Sequence, residues 1–268
     1  MLIMKLLSTK LLSGIFLLAV VAFTFASCNN DDGANPTPRT VTYDVNGYEA
    51  SGITGKIKFT EVVNADSVSV LLTLNGQDIN QYVHFPVVIN KGTALEEGEE
   101  LFPLGTFDGG KGSLQKAVNI SYDDLVKLNG GVTIYSGSAD KDVVAHAEIG
   151  VNKTFSAFSM KTVDGVVNGQ FRVYKRDTGS YLVIKVDSIG NSCQGMDHPV
   201  YALNNNEQDT TLQINPVADQ DLISTTELPN HRYEDLTTYG GVLNVYCSES
   251  NTLSVISKGK FVKQNSNQ

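Results

Sequence analysis

Three cysteines are the residues of this 268-residue chain whose placement points most directly to chemistry. Cys28 directly follows an apolar N-terminal run, whereas Cys193 and Cys247 both lie in the second half of the chain. A cysteine sulfur can act as a nucleophile, bind a metal or form a disulfide, depending on its surroundings. The placement of Cys28 predicts covalent modification. Cys193 and Cys247 predict either a disulfide or two separate buried thiols.

The first 27 residues have the layout of a signal peptide. Lys5 and Lys10 precede the apolar run 11–25, and small residues stand directly before Cys28. The run Phe25-Ala26-Ser27-Cys28 resembles a bacterial lipobox, in which the cysteine sulfur carries diacylglycerol. Ordinary cleavage that leaves a free cysteine is the alternative. At about 0.8 kcal/mol per buried CH₂, acyl chains such as palmitate hold a protein on a bilayer, so we expect a lipoprotein with the membrane as a partner.

Residues 28–40 are polar, contain glycine and proline, and predict a flexible tether. The pair Asp31-Asp32 behind Cys28 resembles the signal that sends some Gram-negative lipoproteins to the cell surface. We therefore expect an outer-membrane lipoprotein exposed on the cell surface, with a periplasm-facing orientation as the alternative. The net charge of −9 becomes more negative when the leader, with its two lysines and no acidic residue, is removed. This charge argues against nucleic acid as a partner.

No sequence motif points to catalysis. Gly-x-Ser-x-Gly, His-Glu-x-x-His and P-loop patterns are absent, and neither Cys193 nor Cys247 has a histidine at a motif-like position. The acidic run 96–100 predicts a solvated loop rather than a calcium site, because its oxygen spacing fits no calcium loop. His146 and His231 receive no role. We therefore expect no enzyme activity, no catalytic residue and no cofactor.

The elements that carry these residues are predicted to be short strands. Val68, Val70, Leu72 and Leu74 fall on one face of the run 67–74, the period-2 pattern of a strand with one side in a core. Turn signals separate further runs of this kind, predicted at 55–60, 82–90, 101–107, 132–136, 142–150, 169–174, 180–187, 198–203, 210–214, 241–247 and 253–262. This spacing indicates an all-β sandwich or barrel.

The chain is predicted to contain one domain twice. Tyr122-Asp123-Asp124-Leu125 returns about 110 residues later as Tyr233-Glu234-Asp235-Leu236, and His84-Phe85-Pro86-Val87 corresponds to His198-Pro199-Val200. Landmarks in the same order favour a duplicated domain over a short repeat. The expected boundaries are 41–152 for the first β domain, 153–164 for a linker, 165–263 for a degenerate second domain, and 264–268 for a disordered tail.

Each copy is predicted to contain one short helix. In the first copy Ser121 can cap the backbone N–H of Asp124, and Gly130 can take the left-handed position after the helix. In the second copy Asn230 is the expected cap, because Arg232 stands where Ser121 did.

With both copies in view, the pattern resembles the CHRD domain, the module named from chordin. The first copy matches more closely, over roughly 52–150; the second copy is recognised mainly through the first. The motifs that carry the resemblance include Leu74-Asn75-Gly76, Tyr82-Val83-His84-Phe85, Leu104-Gly105-Thr106-Phe107-Asp108-Gly109 and Val144-Ala145-His146-Ala147-Glu148. The resemblance implies two tandem immunoglobulin-like β-sandwich or barrel domains, each with one short helix.

The resemblance also implies a possible metal site, from which this chain departs. Family members commonly carry His-x-His on a central strand and another histidine after the helix. Here one copy keeps only His84 and the other only His198, and the position after the helix is Tyr135 or Tyr246. Because a metal site needs three or four ligands, we expect none. We expect structural hydrogen bonds instead, between His84 and Tyr135 and between His198 and Tyr246.

The sequence leads to one functional expectation and one alternative. We expect a lipid-anchored cell-envelope protein with a non-catalytic binding or structural role, whose ligand is an unidentified protein or glycan. The alternative is a metal-dependent or redox enzyme built on a superoxide dismutase-like barrel.

Overall fold

The computed structural model describes residues 36–48, 51–77, 79–80, 83–137, 142–190, 193–247 and 254–261. These residues form an all-β protein with two eight-stranded sheets, which confirms the predicted fold class at that level. The leader, Cys28, most of the predicted tether and the tail at 264–268 lie outside the described residues.

The first sheet contains the first eight strands of the chain. Their order across the sheet is β5-β4-β7-β8-β1-β2-β3-β6, and neighbouring strands are antiparallel. β5 and β6, at the two ends of this order, lie against each other, so the sheet curls into a barrel-like form. The bounds are β1 (Thr40–Gly47), β2 (Thr54–Glu61), β3 (Val68–Asn75), β4 (His84–Lys91), β5 (Glu100–Asp108), β6 (Ser113–Val118), β7 (Asn129–Tyr135) and β8 (Val143–Gly150).

The second sheet repeats this arrangement. Its order is β13-β12-β15-β16-β9-β10-β11-β14, which is the first order displaced by eight strands. A 3₁₀ turn, Val151–Lys153, leads into it from β8, and both sheets belong to one compact unit, Pro38–Gln268. The bounds are β9 (Phe155–Lys161), β10 (Val167–Lys175), β11 (Ser180–Val186), β12 (Val200–Leu203), β13 (Thr210–Gln213), β14 (Ile223–Leu228), β15 (Val242–Tyr246) and β16 (Val255–Lys260).

The segment expected to be a linker, 153–164, instead contains a strand in the interior of the second sheet. β9 pairs with β10 on one side and with β16 on the other. Its side chains Phe158 and Met160 are buried in the core. The serines and lysines among them obscured this period-2 pattern in the sequence. β1, β6 and β14 were also absent from the predicted strands, and β1 begins at Thr40, inside the predicted tether.

Each sheet surrounds an apolar core of its own, because its strands alternate between inward apolar and outward polar side chains. β3 illustrates the pattern: Val68, Val70, Leu72 and Leu74 are all buried. Burial of one such side chain contributes about 1.5–3 kcal/mol relative to exposure. The two cores are separate clusters, the first containing Phe59 and Phe107 and the second containing Phe158 and Phe171.

The two helices are shorter than two turns. In α1 (Tyr122–Lys127) the Ser121 hydroxyl oxygen accepts from the backbone N–H of Asp124 at 3.1 Å, which confirms the predicted cap. Gly130, however, lies in β7 and is not a left-handed cap. α2 (Tyr233–Thr237) begins after Arg232, which makes no side-chain cap hydrogen bond, so the prediction of Asn230 was wrong.

Within the described part of the chain, no helix has the length and apolar character needed to cross a membrane.

Candidate functional site

The most extensively bonded polar cluster lies where the two sheets meet. β8 directs Ala145, Ala147 and Ile149 into the first core, so its alternate residues His146 and Glu148 lie on the opposite face. That face is covered by the second sheet, and both polar residues are 4% exposed.

β10 supplies the other side of the cluster. Its side chains Phe171 and Val173 lie in the second core. Arg172 and Tyr174 alternate with them and therefore face the first sheet, where both are buried. Since β8 and β10 bury both of their faces, each strand belongs to a core and to the contact between sheets.

Glu148 is the centre of the cluster. Its Oε1 accepts from Arg172 Nη1 at 2.7 Å and from the Tyr174 hydroxyl at 2.7 Å. Both carboxylate oxygens also lie near the backbone N–H of Ala94, at 3.2 and 3.1 Å. Arg172 Nη2 donates to His146 Nε2 at 2.8 Å. Every member of the cluster is therefore bonded to another member or to the backbone.

The buried location of the cluster shifts the pKa values of its side chains. Burial, together with the positive charges of Arg172 and Lys185, lowers the pKa of His146 to about 3. The imidazole is consequently neutral at neutral pH, and its Nε2 can accept from Arg172. Burial raises the pKa of Glu148, an effect opposed by Arg172, by the Tyr174 hydroxyl and by the Ala94 N–H. Burial also raises the pKa of Tyr174 well above its ordinary value.

An apolar and ionic rim surrounds the cluster. Leu95, in the turn between β4 and β5, packs with Tyr174, Tyr181 and Val183 of the second sheet. The Arg176 Nη2 donates to Asn152 Oδ1 at 2.9 Å. These contacts separate the cluster from solvent and join one sheet to the other.

The acidic run 96–100 takes part in this rim. Glu96 accepts from the Tyr181 hydroxyl at 2.8 Å and from the backbone N–H of Thr93 at 2.6 Å. Glu97 forms an ion pair with Lys185. The run is therefore part of the contact between the sheets and not only the solvated loop that its composition suggested.

The predicted pair of His198 and Tyr246 does not form. The His198 ring is fully buried, with Nδ1 3.0 Å from the carbonyl oxygen of Cys247 and Nε2 3.6 Å from Asp219 Oδ1. The Tyr246 hydroxyl accepts from Asn244 Nδ2 at 3.2 Å instead. His198 lies two residues before β12, which pairs with β15, and its ring therefore reaches the end of β15 rather than the Tyr246 hydroxyl.

The predicted pair of His84 and Tyr135 is wrong as well. His84 is exposed at the start of β4, opposite Asp108 of β5. Tyr135 is half-buried at the end of β7, on the other side of β4. Among the described residues no hydrogen bond joins the two, so His84 and His198 have different surroundings in the two sheets.

The two later cysteines are joined. The disulfide Cys193–Cys247, with a Cα–Cα distance of 5.1 Å, connects the loop before β12 to the end of β15. The sequence allowed either a disulfide or two separate buried thiols, and the structure contains the disulfide. Cys28, the predicted lipidation site, lies outside the described residues.

Among the residues that the structure describes, no group of three or more His, Cys, Asp or Glu side chains is arranged to hold a metal ion. A scan against models of protein families gives no match. A search of curated proteins also gives no match.

No sequence motif singles out Glu148, Arg172 or Tyr174, and His146 was assigned no role. A signal for them did exist. The run Tyr181–Val186 in β11 is apolar at almost every position, which is typical of a strand buried on both faces. Such a run predicts a covered outer face, and polar residues on neighbouring strands are then candidates for a buried network.

Proposed function

We propose that this chain is a lipid-anchored cell-envelope protein with a non-catalytic binding or structural role. In this proposal its two sheets are diverged CHRD-like domains of immunoglobulin-like type. The shared strand order of the two sheets and the recurring sequence landmarks support a duplication. The apolar leader that ends at Cys28 supports export and anchoring.

One observation carries the binding or structural role. The ionisable cluster around Glu148 is enclosed between the sheets, and its hydrogen bonds are made within the protein. The hydrogen bonds from Arg172 and Tyr174 to Glu148 cross from one sheet to the other, and such directional bonds favour one orientation of the two sheets. In this proposal the two sheets present their outer surfaces to a partner in one relative orientation.

Labelling of intact cells tests the envelope assignment. A membrane-impermeant amine reagent has accessible targets in Lys111 and Lys56, whose side chains are 78% and 66% exposed. We expect labelling of the wild-type chain on intact cells, incorporation of palmitate, and loss of both in a Cys28→Ser variant. A periplasmic protein serves as the control for intact membranes.

Three outcomes would change the proposal. Labelling only after the outer membrane is opened would place the chain on the periplasmic side and redirect the search to envelope-assembly partners. Palmitate incorporation into the Cys28→Ser variant would remove Cys28 as the anchor. A stoichiometric metal in the detergent-purified full chain would favour the alternative of a metal-dependent enzyme.

A further inference from the structure

The outer face of the second sheet carries an amide whose hydrogen bonds are incomplete. Leu243 and Val245 of β15 lie in the core, so Asn244 between them lies on the opposite face, where it is 4% exposed. Its Nδ2 donates to the Tyr246 hydroxyl at 3.2 Å, whereas its Oδ1 has no hydrogen-bond partner among the described residues. A buried acceptor without a partner is unfavourable. Asn244 therefore has capacity for one more hydrogen bond.

The neighbours of Asn244 form a row across the sheet. Tyr201 of β12 and Lys258 of β16 are directly opposite Asn244. Gln213 of β13, which is exposed, is directly opposite Tyr201. Directly opposite residues of antiparallel strands share one face, with Cβ atoms about 5 Å apart. The unpartnered amide oxygen therefore lies beside a phenol ring, a lysine stem and, one strand further, a second amide.

Two tyrosine rings flank the amide. Tyr201 and Tyr246 are both half-buried, their ring centroids are 5.5 Å apart, and their planes meet at 66°. This is an edge-to-face arrangement, so the rings do not cover each other as a flat stack would. The pair offers aromatic surface and hydroxyl groups next to the unpartnered oxygen.

The charges beside this row neutralise each other. Both carboxylate oxygens of Glu207 lie 2.6 Å from Lys258 Nζ. A charged ligand group would lose water here without gaining a free counter-charge. An uncharged ligand with several hydroxyl groups suits the site better, because a hydroxyl can both donate to Asn244 Oδ1 and accept from the Gln213 amide.

The first sheet differs at the corresponding place. Thr133 of β7 is directly opposite Val88 of β4, and its hydroxyl oxygen accepts from Asn90 Nδ2 at 3.1 Å. The second sheet has Tyr201 where the first has Val88, and it has the incompletely bonded Asn244 where the first has a bonded threonine. An aromatic ring and an unpartnered acceptor thus occur together on this face of the second sheet.

We infer that the outer face of β12, β15 and β16 binds a neutral carbohydrate at Asn244, Tyr201 and Tyr246. The C–H face of a sugar ring packs on a tyrosine ring, while a sugar hydroxyl donates to Asn244 Oδ1. Because Oδ1 is covered in the free protein, binding includes a side-chain rearrangement, for which the long and partly exposed Lys258 is suited. The inference rests on the proposed binding role and names its ligand class, but it does not depend on the lipid anchor.

The test uses the full chain purified in a detergent without a sugar head group. The probes are linear oligosaccharides of glucose, mannose, xylose and N-acetylglucosamine, and calorimetry measures their dissociation constants. We expect at least one of them to bind, and Tyr246→Ala to weaken that binding about tenfold or more. Tyr135→Ala is the matched control, because Tyr135 is the last residue of β7 as Tyr246 is of β15. It should leave the affinity unchanged.

Asn244→Leu separates binding from folding. The variant lacks the unpartnered acceptor, so its thermal unfolding temperature should not fall, whereas its affinity for the bound oligosaccharide should drop about tenfold or more. Failure of every oligosaccharide to bind would overturn the proposal. Binding that survives both Asn244→Leu and Tyr246→Ala would overturn the assignment to this face, yet it would leave the general binding role standing. The anchor is tested separately, by the labelling of intact cells.

Discussion

The two sheets share one strand order but are completed in different ways. In the first sheet the nine-residue β5 lies against β6, and α1 begins with a serine cap. In the second sheet the corresponding β13 has four residues, α2 has no side-chain cap, and a disulfide ties the loop before β12 to β15. The second sheet thus has a cross-link where it has less regular structure. The difference indicates that two sheets of the same strand order can be stabilised by different contacts.

The buried cluster around Glu148 joins the two sheets. Its disruption should therefore have the largest effect on stability. Glu148→Ala would leave Arg172 as an uncompensated buried charge, and we expect a loss of about 3–5 kcal/mol in the free energy of unfolding. Urea unfolding measures the loss. Glu234→Ala serves as control, since Glu234 pairs with Lys175 on the exposed surface; its effect should be small.

A double variant separates charge from packing at the same place. Glu148→Leu combined with Arg172→Met replaces the ion pair by apolar side chains and should be more stable than Glu148→Ala alone. Equal unfolding free energies for wild type and Glu148→Ala would show that the cluster does not hold the sheets together.

Removal of the disulfide should cause the second largest loss of stability, and this loss should fall mainly on the second sheet. Its two cysteines are 54 residues apart, and the chain-entropy model for a loop of this size gives a loss of about 4 kcal/mol in the Cys193→Ser, Cys247→Ser double variant. Hydrogen exchange should accelerate first in β12 and β15. Acceleration confined to the first sheet would contradict this difference between the sheets.

Acid should weaken the contact between the sheets through His146. The unfolded chain binds a proton at His146 below pH ~6.5, its ordinary pKa, whereas the folded chain does so only near its lowered pKa of about 3. Stability therefore falls as the pH drops between these values, by about 1.4 kcal/mol per pH unit at most, or roughly 2–3 kcal/mol by pH ~4.5.

Comparison with His146→Gln isolates this contribution, because glutamine can still accept from Arg172 without titrating. Unfolding measured from pH 7 to pH 4 should give a shallower acid dependence in the variant than in the wild type. The raised pKa of Glu148 is present in both proteins and acts in the opposite direction. Parallel pH profiles would exclude His146 as the titrating group.

The helix caps should have the smallest effects and opposite signs. Ser121→Ala removes a cap of α1 and should cost about 1 kcal/mol. Arg232→Ser introduces the same cap chemistry before α2 and should increase stability. Thermal unfolding measures the stability of both variants. A loss of stability in Arg232→Ser would show that α2 does not begin as α1 does.

Local patterns made several features predictable from the sequence. The alternation in β3, the cap at Ser121 and the all-β class follow from period and from neighbouring residues. The prediction of a linker around β9 was wrong. Ser156, Ser159 and Lys161 give the segment the composition of a linker, although Phe158 and Met160 are core residues. The weakly apolar strand β6, with only Val118 buried, left little signal at all.

The strand periodicity, the repeated landmarks and two cysteines able to pair are visible in the order of the amino acids, since these features depend on residues near one another or on a recurring order. Long-range packing adds that the cysteines do pair, that His84 and His198 have different surroundings, and that His146, Glu148, Arg172 and Tyr174 meet. A polar side chain on the outer face of a strand has the same sequence pattern whether that face is exposed to solvent or covered. It becomes part of a buried network only when another sheet covers that face, and this covering is a property of long-range packing.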